Sequence, residues 1–499
     1  MDRTFQSHAQ GQPSKAAVRT SDRSITYAEL NASVTCLARH LLARGLQPGD
    51  RVALHRSNSI DTVQLLMAVF RAGLVAVPVN TRLKAPEIAY IFEHSSTRIC
   101  FSEPALATLA AEARRRGCPE VVSQLPVLKT SPRPLPEIDP TQPAVILYTS
   151  GTTARPKGVI HTHRTLSETV LLYASVPIGP DDTSLTMSQM MHASGLVFVL
   201  TALHQGATTV LLRTFDPAAA LDLIERFRCT HIWGLPAMLQ FVVEEQSRRP
   251  RDVSAMCDAG SGGDTVPAAL QQRFQDVFAI QLREGLGLTE SALVTINPSA
   301  DVRIGSIGPA AHGVDIRLVD PNGYDVPAGK TGEILVRSRA NCVGYWNDPA
   351  ATTCLFDDGW MHTGDLASRD NDGYYWFKGR LKQLIIRGGS NISPPEVEEA
   401  LYQHPAVLEA GVIGAPDPVY GEMVVAFVAL REGRQATPVE LHQFVRQRLA
   451  DYKIPERILF LDELPKSPTG KVQRRALKEM LLAEADLGRF AVGSQHAVS

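Results

Sequence analysis

The chain has 499 residues, of which 44% are hydrophobic and 20% charged, and its formal net charge is −2. This length exceeds what one compact core supports and predicts about two to four domains. The balanced charge argues against a nucleic-acid-binding surface and favours a small-molecule substrate. The N-terminus lacks a signal-peptide core, and no apolar run approaches the roughly 20 residues of a membrane span, so we expect a soluble, cytoplasmic protein without stable membrane insertion.

The N-terminal part alternates between helix and strand patterns. Thr26 and Glu29 form a predicted capping box for an amphipathic helix that closes at Gly45. The strand RVAL, a helix around VQLLMAVFRAG and the strand VAVPV follow. This order predicts an α/β sheet with crossover helices.

The pattern changes near residue 380. Strand-like segments (IRLVD, GEILVRS, GYYWFKGR) precede this point, and a compact segment follows it. Within that segment Ser393 is a predicted helix N-cap, Pro394 the first helical residue and Glu396 the partner in a capping box. We therefore expect a small C-terminal domain that begins near Lys382.

The cysteines do not form a recognisable framework. No CxxC pair is present and their number is odd, which fits a reducing compartment better than disulfides or a zinc site. We expect inert, structural thiols at the seven positions, Cys36, Cys100, Cys118, Cys229, Cys257, Cys342 and Cys354.

The segment YTSGTTARPKG, residues 148–158, is rich in Gly, Ser and Thr and contains one lysine. Such donors suit a polyphosphate, and the preceding AVILY is a predicted strand, although an ordinary solvated Ser/Thr turn has the same composition. The segment lacks the GK[ST] ending of a P-loop. A second Gly-Lys-Thr, in GYDVPAGKT, has its glycines one residue too far apart and is predicted to be a turn between strands.

Further motifs follow this segment in order: GLTES at 287–291, HTGD at 362–365, KGRLKQLIIRGGSNISPPEVE at 378–398 and PKSPTGKVQRRAL at 465–477. Together with ITYAEL and AVPVNTRLKAPEIAYIFEHS, the chain resembles, over nearly its whole length, the adenylate-forming superfamily of acyl-CoA synthetases, nonribosomal adenylation domains and luciferases. The resemblance implies an α/β fold. A large N-terminal domain, residues 1–381, would hold layered αβ sheets and a distorted barrel, and a small mobile α+β domain, residues 382–499, would follow.

The resemblance also implies residue roles for ATP. The β- and γ-phosphates would lie on Thr149, Ser150, Gly151, Thr152, Thr153 and Lys157. Thr289 would bond the α-phosphate, Glu290 would ligate Mg²⁺, and Asp365 and Arg380 would bind the ribose. The adenine region would comprise Ser261, Gly262, Gly263, Asp264, Leu286 and Gly287.

The remaining roles concern the acid and the second step. Lys471 would bridge the carboxylate and the α-phosphate, and the C-terminal domain would rotate about Lys382 so that the Arg387-Gly388-Gly389 loop meets the pantetheine chain of CoA. His192 would lie between the carboxylate and the thiol tunnel. The acyl pocket would be lined by Met191, His192, Ala193, Ser194, Gly195, Trp233, Gly234, Leu235 and Pro236.

Four residues depart from the usual pattern: Ala154 for a glycine, Leu286 for an aromatic residue, Gln383 for an acidic residue and Asp264 for a small one. Loss of an aromatic stack on adenine costs roughly 0.5 to 1.5 kcal/mol, which weakens ATP binding without abolishing it. All charged roles are filled, which argues against an inactive relic.

The leading hypothesis is an acid–thiol ligase that converts a fatty or aromatic monocarboxylate, ATP and CoA to acyl-CoA, AMP and pyrophosphate. One alternative is a stand-alone adenylation enzyme that loads a carrier protein. Against it, MMHASG lacks an aspartate for an amino acid's ammonium, and we expect no carrier domain after residue 499. A non-catalytic acyl or nucleotide binding protein is a third hypothesis. The sequence does not show whether the Arg283 side chain points into the acyl pocket. We expect the protein to be a monomer or a homodimer.

Overall fold

The computed structural model describes residues 2–114, 119–125, 133–149, 155–173, 176–467 and 470–486. Its strands are β1 (Ala16–Arg19), β2 (Ser24–Thr26), β3 (Arg51–His55), β4 (Val75–Pro78), β5 (Ile99–Ser102), β6 (Glu120–Val122), β7 (Pro143–Thr149), β8 (Lys157–Thr162), β9 (Thr183–Thr186), β10 (Thr208–Leu211), β11 (His231–Gly234), β12 (Asp258–Gly262), β13 (Leu282–Leu288), β14 (Ala292–Ile296), β15 (Val314–Val319), β16 (Thr331–Ser338), β17 (Phe356–Asp357), β18 (Trp360–Arg369), β19 (Tyr375–Arg380), β20 (Ile385–Arg387), β21 (Ser390–Ile392), β22 (Val407–Asp417), β23 (Gly421–Leu430) and β24 (Arg457–Phe460).

The α-helices are α1 (Asp2–Gly11), α2 (Tyr27–Ala43), α3 (Ile60–Arg71), α4 (Ala85–Ser95), α5 (Ala107–Glu112), α6 (His163–Tyr173), α7 (Ala193–His204), α8 (Pro217–Phe227), α9 (Pro236–Arg248), α10 (Ala268–Phe278), α11 (Pro349–Leu355), α12 (Pro394–Tyr402), α13 (Pro438–Arg446) and α14 (Arg474–Asp486). Single 3₁₀ turns form at Pro104–Leu106, Leu381–Gln383 and Asp451–Lys453.

Two mostly parallel sheets form the larger part of the molecule. One has six strands in the order β6-β5-β3-β4-β7-β8, and the other has eight in the order β14-β13-β12-β11-β9-β10-β1-β2. Buried side chains of α2, α3 and α7 pack between them in one continuous apolar core. This arrangement is the α/β architecture with crossover helices that the sequence predicts.

Two further sheets follow along the chain. An antiparallel sheet holds β15-β16-β18-β17, with β19 on β18, and the predicted turn in GYDVPAGKT connects β15 to β16. The last sheet, β21-β20-β23-β22 with β24 on β23, has its own apolar clusters beneath α12, α13 and α14. A smaller α+β unit therefore follows the larger one; the boundary at residues 381 and 382 stays a prediction.

The predicted start of α2 is confirmed. Thr26 accepts a hydrogen bond from the Glu29 amide at 3.2 Å, and Glu29 Oε2 accepts from the Thr26 amide at 2.9 Å. Gly45 follows the helix with a φ of 89°, a left-handed conformation that glycine adopts without strain.

The predicted capping box of α12 is wrong. Ser393 is the N-cap residue but makes no side-chain cap hydrogen bond, and Pro395 offers no amide hydrogen at the second helical position. The third amide, of Glu396, donates to the Ser393 carbonyl at 3.2 Å. The Glu396 carboxylate instead pairs with Lys453 at 2.6 Å.

The C-terminal unit docks on α9 and α10 of the larger unit. Arg431 forms an ion pair with Glu244, and Glu399 of α12 accepts a hydrogen bond from the Ala268 amide at 3.2 Å. Lys466 Nζ lies 5.6 Å from the centre of the Phe241 ring. These contacts orient the loop that carries Lys471.

None of the helices in the described part of the chain combines the length and apolar character that crossing a membrane requires.

Candidate active site

The ends of four strands surround a large cavity in the described structure. Strands β7, β11, β12 and β13 end there at Thr149, Gly234, Gly262 and Leu288, as ligand sites of α/β sheets commonly do. The predicted site residues that line it are Thr149, Met191, His192, Ala193, Ser194, Trp233, Gly234, Gly262, Gly263, Gly287, Thr289, Glu290, Arg380, Lys382 and Lys471. Residues that are far apart in the sequence thus share one cavity.

The predicted phosphate loop joins β7 to β8. Thr149 and Lys157 pair across these antiparallel strands, so the loop leaves and returns at one point. The predicted contacts Ser150, Gly151, Thr152 and Thr153, with Ala154, lie outside the described residues. The described ends of the loop open at the cavity.

Tyr345 connects two charged residues of the site. Lys157 Nζ lies 4.6 Å from the centre of the Tyr345 ring, and the Tyr345 hydroxyl donates to Glu290 Oε1 at 2.9 Å. Burial, and then the neighbouring Glu290, raises the pKa of Tyr345, so the hydroxyl stays protonated as a donor. The ring therefore positions both the lysine and the carboxylate.

A buried histidine holds the turn that carries Thr289 and Glu290. His161 Nε2 lies 2.7 Å from the Thr289 carbonyl oxygen and donates to it, since a carbonyl only accepts. Burial lowers the pKa of His161, which keeps the ring neutral. This bond fixes the backbone of Thr289 at the end of β13.

Asp365 is a buried carboxylate in β18, opposite Arg380 of β19. Its Oδ1 lies 2.8 Å from Arg380 Nε in an ion pair. Burial raises the pKa of Asp365, while Arg380 and Lys471 act to lower it. A buried carboxylate can accept more hydrogen bonds than one ion pair supplies, so this residue fits a ligand that donates, such as a vicinal diol.

Lys471 reaches the cavity from the C-terminal unit. A methyl group placed on Gly263 would lie 4.0 Å from Lys471 Cε, which shows how closely the lysine approaches the end of β12. Burial lowers the pKa of Lys471, and the carboxylates of Asp264, Asp365 and Glu290 oppose that shift. Lys471 and these three carboxylates, which come from both units, thus lie close enough to interact.

The lysine's loop is anchored on its own unit. The Ser467 amide donates to the Lys471 carbonyl at 2.7 Å, and the Gly470 amide donates to the Ser467 carbonyl at 2.8 Å. Arg474, just beyond, donates to both carboxylate oxygens of the buried Glu398 at 2.7 and 2.8 Å. These bonds attach the described residues on both sides of Lys471 to the C-terminal unit.

His192 lies directly before α7, on the cavity wall. Burial lowers the pKa of this imidazole to about 4, and the neighbouring Lys471 and Arg82 lower it further. Its Nε2 lies 3.4 Å from Asn80 Nδ2. At neutral pH the ring is uncharged and one nitrogen is an acceptor.

The predicted acyl pocket contains an aromatic wall. Trp233 lies 5.2 Å from Phe198, which in turn lies 5.4 Å from Tyr173, centre to centre. Gly260 lies against the indole, since a methyl group there would be 2.2 Å from Trp233 Cζ2. The glycine therefore gives the indole its space, and the wall suits an apolar, planar group.

Arg283 is occupied by a structural partner. It lies in β13 and forms a buried ion pair with Asp258 of β12, with Nη2 at 2.7 Å from Oδ1. Its Nη1 donates to the Asn297 carbonyl at 3.2 Å. The sequence did not show where the Arg283 side chain points. In the structure it points toward Asp258, whose carboxylate neutralises the guanidinium.

Some predicted residues lie outside the walls of the main cavity. Leu286 packs against the apolar cluster beside β14, and Pro236 and Asp264 line a smaller adjoining cavity between the two units. Gly388 and Gly389 form the turn between β20 and β21, with φ values of 54° and 80°. Both glycines therefore adopt the left-handed backbone that a side chain disfavours.

Sequence reasoning missed four residues of the site: Tyr345, His161, Phe198 and Tyr173. Phe198 and Val197 lie in α7, directly after the pocket motif, and their helical spacing from Ser194 was the available signal. Tyr345 and His161 act through contacts with residues distant in the sequence, which no local pattern contains.

Family models match most of the chain. The AMP-binding enzyme model matches residues 5–346, and the AMP-binding enzyme C-terminal domain model matches residues 396–471. The chain belongs to the AMP-binding enzyme family. The resemblance inferred from the motifs is thereby confirmed.

Individual relatives agree with this assignment. A feruloyl-CoA synthase from Amycolatopsis sp is 38% identical over 92% of this chain and 94% of the relative. The fatty acid–[acyl-carrier-protein] ligase ScoC from Streptomyces coeruleorubidus is 35% identical, over 95% of this chain and 94% of the relative. The family therefore includes ligases for both kinds of thiol acceptor.

A solved structure of similar shape is that of the anthranilate CoA ligase AuaEII in complex with anthranoyl-AMP. It is 28% identical, covers 97% of this chain and 98% of its own, and superposes with a TM-score of 0.90. The predicted fold class is therefore confirmed, and the predicted acid–thiol ligase class agrees with these relatives.

Proposed function

We propose that the protein is an AMP-forming acyl-CoA ligase that acts on an aromatic or fatty monocarboxylate. In the first step the acid's carboxylate oxygen forms a bond to the α-phosphorus of ATP, and the bond to pyrophosphate breaks. In the second step the sulfur of CoA bonds to the acyl carbon, and AMP leaves. The products are acyl-CoA, AMP and pyrophosphate.

The observation that carries the proposal is Lys471 in the main cavity. The lysine belongs to the C-terminal unit, yet its electrostatic partners Asp365 and Glu290 belong to the larger unit. An ammonium group held there can stabilise the negative charge that builds on the carboxylate and α-phosphate as they approach. A cavity that only binds an acyl group would not need this buried charge.

The nucleotide roles rest on the chemistry of the available donors and acceptors. Thr149, Lys157 and Thr289 supply donors for the phosphates, and the buried carboxylate of Asp365, paired with Arg380, suits the ribose hydroxyls. Gly262, Gly263 and Gly287 line the same cavity and are the proposed neighbours of the base. These assignments, like those of the undescribed loop residues, are proposals.

Glu290 is the proposed Mg²⁺ ligand. A carboxylate suits this hard ion, and Tyr345 orients the group by its bond to Oε1. The bound ion would neutralise phosphate charge as pyrophosphate leaves.

The second step requires a change at the domain junction. Lys382 lies in the 3₁₀ turn between β19 and β20, and the Gly388-Gly389 turn lies outside the walls of the main cavity. We propose that residues 382–499 rotate about Lys382 after adenylation, which withdraws Lys471 and brings this turn to the pantetheine chain. The neutral imidazole of His192 would then face the thiol.

The acid is proposed to be a monocarboxylate. The wall of Trp233, Phe198 and Tyr173 suits an aromatic ring or an alkyl chain. A second carboxylate would find Arg283 already neutralised by Asp258. The feruloyl and anthranilate ligases among the relatives favour the aromatic class.

A carrier-protein ligase is the second candidate, because ScoC is 35% identical over nearly the whole chain. The first step would be the same, and only the thiol acceptor would differ.

The test is a pyrophosphate-release screen with ATP, Mg²⁺ and acids graded in chain length and aromaticity, followed by mass analysis of the thioester. We expect an aromatic or fatty monocarboxylate to give the fastest pyrophosphate release and acyl-CoA to be the thioester formed. Release with a thioester only on a phosphopantetheinylated carrier protein would select the second candidate. If no acid stimulated pyrophosphate release, both ligase proposals would be contradicted and a non-catalytic binding protein would be favoured.

A further inference from the structure

Three side chains from neighbouring strands meet at the edge of the eight-stranded sheet that lies opposite the active site. Asp182 directly precedes β9, His231 opens β11, and Cys257 directly precedes β12. The strand order β12-β11-β9 makes these three positions adjacent, and their ligand atoms all lie within 4.8 Å of one another. The active-site residues follow the other ends of these strands.

The histidine is oriented as metal-binding histidines usually are. His231 is buried, and its Nε2 lies 2.7 Å from the Pro177 carbonyl oxygen, so this nitrogen carries the proton. Its Nδ1 therefore presents a lone pair, 3.7 Å from Asp182 Oδ1. A backbone carbonyl on the far ring nitrogen fixes both the tautomer and the ring direction.

The lone pair has a replaceable partner. The Thr230 hydroxyl lies 2.7 Å from His231 Nδ1 and 3.2 Å from the Thr183 carbonyl oxygen. A cation about 2 Å from Nδ1 requires the hydroxyl oxygen of Thr230 to move aside, and the hydroxyl can then donate to the Thr183 carbonyl. No buried donor is left unsatisfied by the exchange.

The other two side chains can also turn to a cation. Asp182 Oδ2 accepts from the Gly179 amide at 2.7 Å, which anchors the carboxylate and leaves Oδ1 toward His231. Cys257 is exposed, and its only hydrogen bond among the described residues is a weak one to the Thr230 carbonyl at 3.5 Å. Its sulfur already lies within 4.8 Å of the ligand atoms of Asp182 and His231.

We propose that Asp182, His231 and Cys257 form a zinc-binding site. One thiolate, one imidazole and one carboxylate suit Zn²⁺, a borderline-soft ion that is commonly four-coordinate. The thiolate and the carboxylate balance the charge of the ion, the thiol proton goes to solvent, and water completes the coordination. The bound ion ties three parallel strands together without touching the reaction.

The sequence alone argued against such a site, because no pair of ligands is close along the chain. Strand order brings the three together. The inference is independent of the proposed ligase activity.

The test uses the full-length, reduced and metal-free protein, titrated with Co²⁺ as a spectroscopic stand-in for Zn²⁺. We expect one equivalent to bind, a thiolate-to-cobalt charge-transfer band to appear, and Zn²⁺ to displace it. Cys257→Ser should abolish the band. Cys354→Ser, which alters another exposed cysteine, is the matched control and should retain it.

Asp182→Asn provides a second variant that keeps an acceptor for the Gly179 amide. We expect it to weaken Zn²⁺ binding at least about tenfold in a chelator competition assay. Absence of the band in the unaltered protein, or a band that survives Cys257→Ser, would overturn the proposal. Unchanged Zn²⁺ affinity of the Asp182→Asn variant would remove the carboxylate from the site and also overturn it as stated.

Discussion

At the scale of single residues, the site depends on side chains that hold charged groups in place. Tyr345 lies between Lys157 and Glu290 and contacts both. A hydrogen bond to a charged group contributes about 1.5 to 3 kcal/mol. Loss of this one bond is therefore large enough to measure in the binding of a metal ion to Glu290.

Tyr345→Phe removes the hydroxyl and keeps the ring beneath Lys157. We expect the Mg²⁺ concentration for half-maximal pyrophosphate exchange to rise about tenfold, because Glu290 loses its orienting donor. Tyr345→Leu, which also removes the ring, should in addition raise the KM for ATP. An unchanged Mg²⁺ dependence in the phenylalanine variant would show that the bond does not position Glu290.

The sequence could predict the charged residues but not those that support them. Lys471, Glu290 and Asp365 lie in motifs whose order and spacing resemble a known family. Tyr345 and His161 carry no such signal, because their roles arise from contacts between strands that are distant along the chain. A family motif therefore identifies the reacting groups more readily than their neighbours.

At the scale of helices and strands, sequence patterns predicted a helix start correctly where only neighbouring residues determined it. The start of α2 follows from Thr26 and Glu29, whose two reciprocal bonds form as predicted. The start of α12 satisfies the same sequence rule, yet the Glu396 amide bonds to the Ser393 carbonyl and the Glu396 carboxylate pairs with Lys453. A rule for one helix end fails when a residue from elsewhere competes.

The buried pair of Asp258 in β12 and Arg283 in β13 provides a test of strand packing. Asp258→Ala leaves an uncompensated buried guanidinium, so we expect the free energy of unfolding to fall by about 3 to 5 kcal/mol in denaturant titrations. Asp325→Ala, which breaks the exposed pair with Arg317, is the control and should cost less than about 1 kcal/mol. Equal, small losses in both variants would contradict the structural role assigned to Arg283.

The turn at Lys382 tests the proposed rotation. Lys382→Pro fixes φ near the value of a 3₁₀ turn, which is the conformation present here, and opposes any other. We expect this variant to retain adenylation, which is measured by pyrophosphate exchange, better than it retains thioester formation from supplied acyl-adenylate. Gln383→Ala is a matched neighbour that leaves φ free. Parallel loss of both half-reactions in the proline variant would count against a hinge at this residue.

At the scale of the whole molecule, buried titratable groups make stability depend on pH in two directions. Burial lowers the pKa of His55, His163 and His192 to about 4, so these residues destabilise the fold as pH falls below their ordinary 6.5. Burial raises the pKa of Glu284 from its ordinary 4.5 to about 8, with Glu399 adding to the shift. For Glu284 the folded state binds the extra proton, so stability falls as pH rises from 4.5 through 8.

Glu284→Gln isolates the second effect. Glutamine keeps the acceptor for the Val266 amide and cannot ionise, so the variant should be more stable than the unaltered protein at pH 8 and similar near pH 5. Thermal unfolding at both pH values measures this. A variant that is less stable at pH 8 would show that Glu284 is charged in the folded protein.

The order of elements and the division into a larger and a smaller unit could be predicted from the whole sequence. How the units dock could not, because contacts such as Glu244 with Arg431 and Ala268 with Glu399 join elements with no shared pattern. That docking brings Lys471 to Asp365 and Glu290. The central claim therefore concerns what the two units do together.

The most direct measurement compares the two half-reactions of Lys471→Ala with those of the unaltered protein. We expect adenylation, measured by acid-dependent pyrophosphate exchange, to slow by about two to three orders of magnitude, since one preorganised charge is lost. Thioester formation from supplied acyl-adenylate and CoA should persist. Lys330→Ala, in the exposed turn between β15 and β16, should leave both rates unchanged. Equal loss of both half-reactions in Lys471→Ala, or loss of neither, would contradict the account.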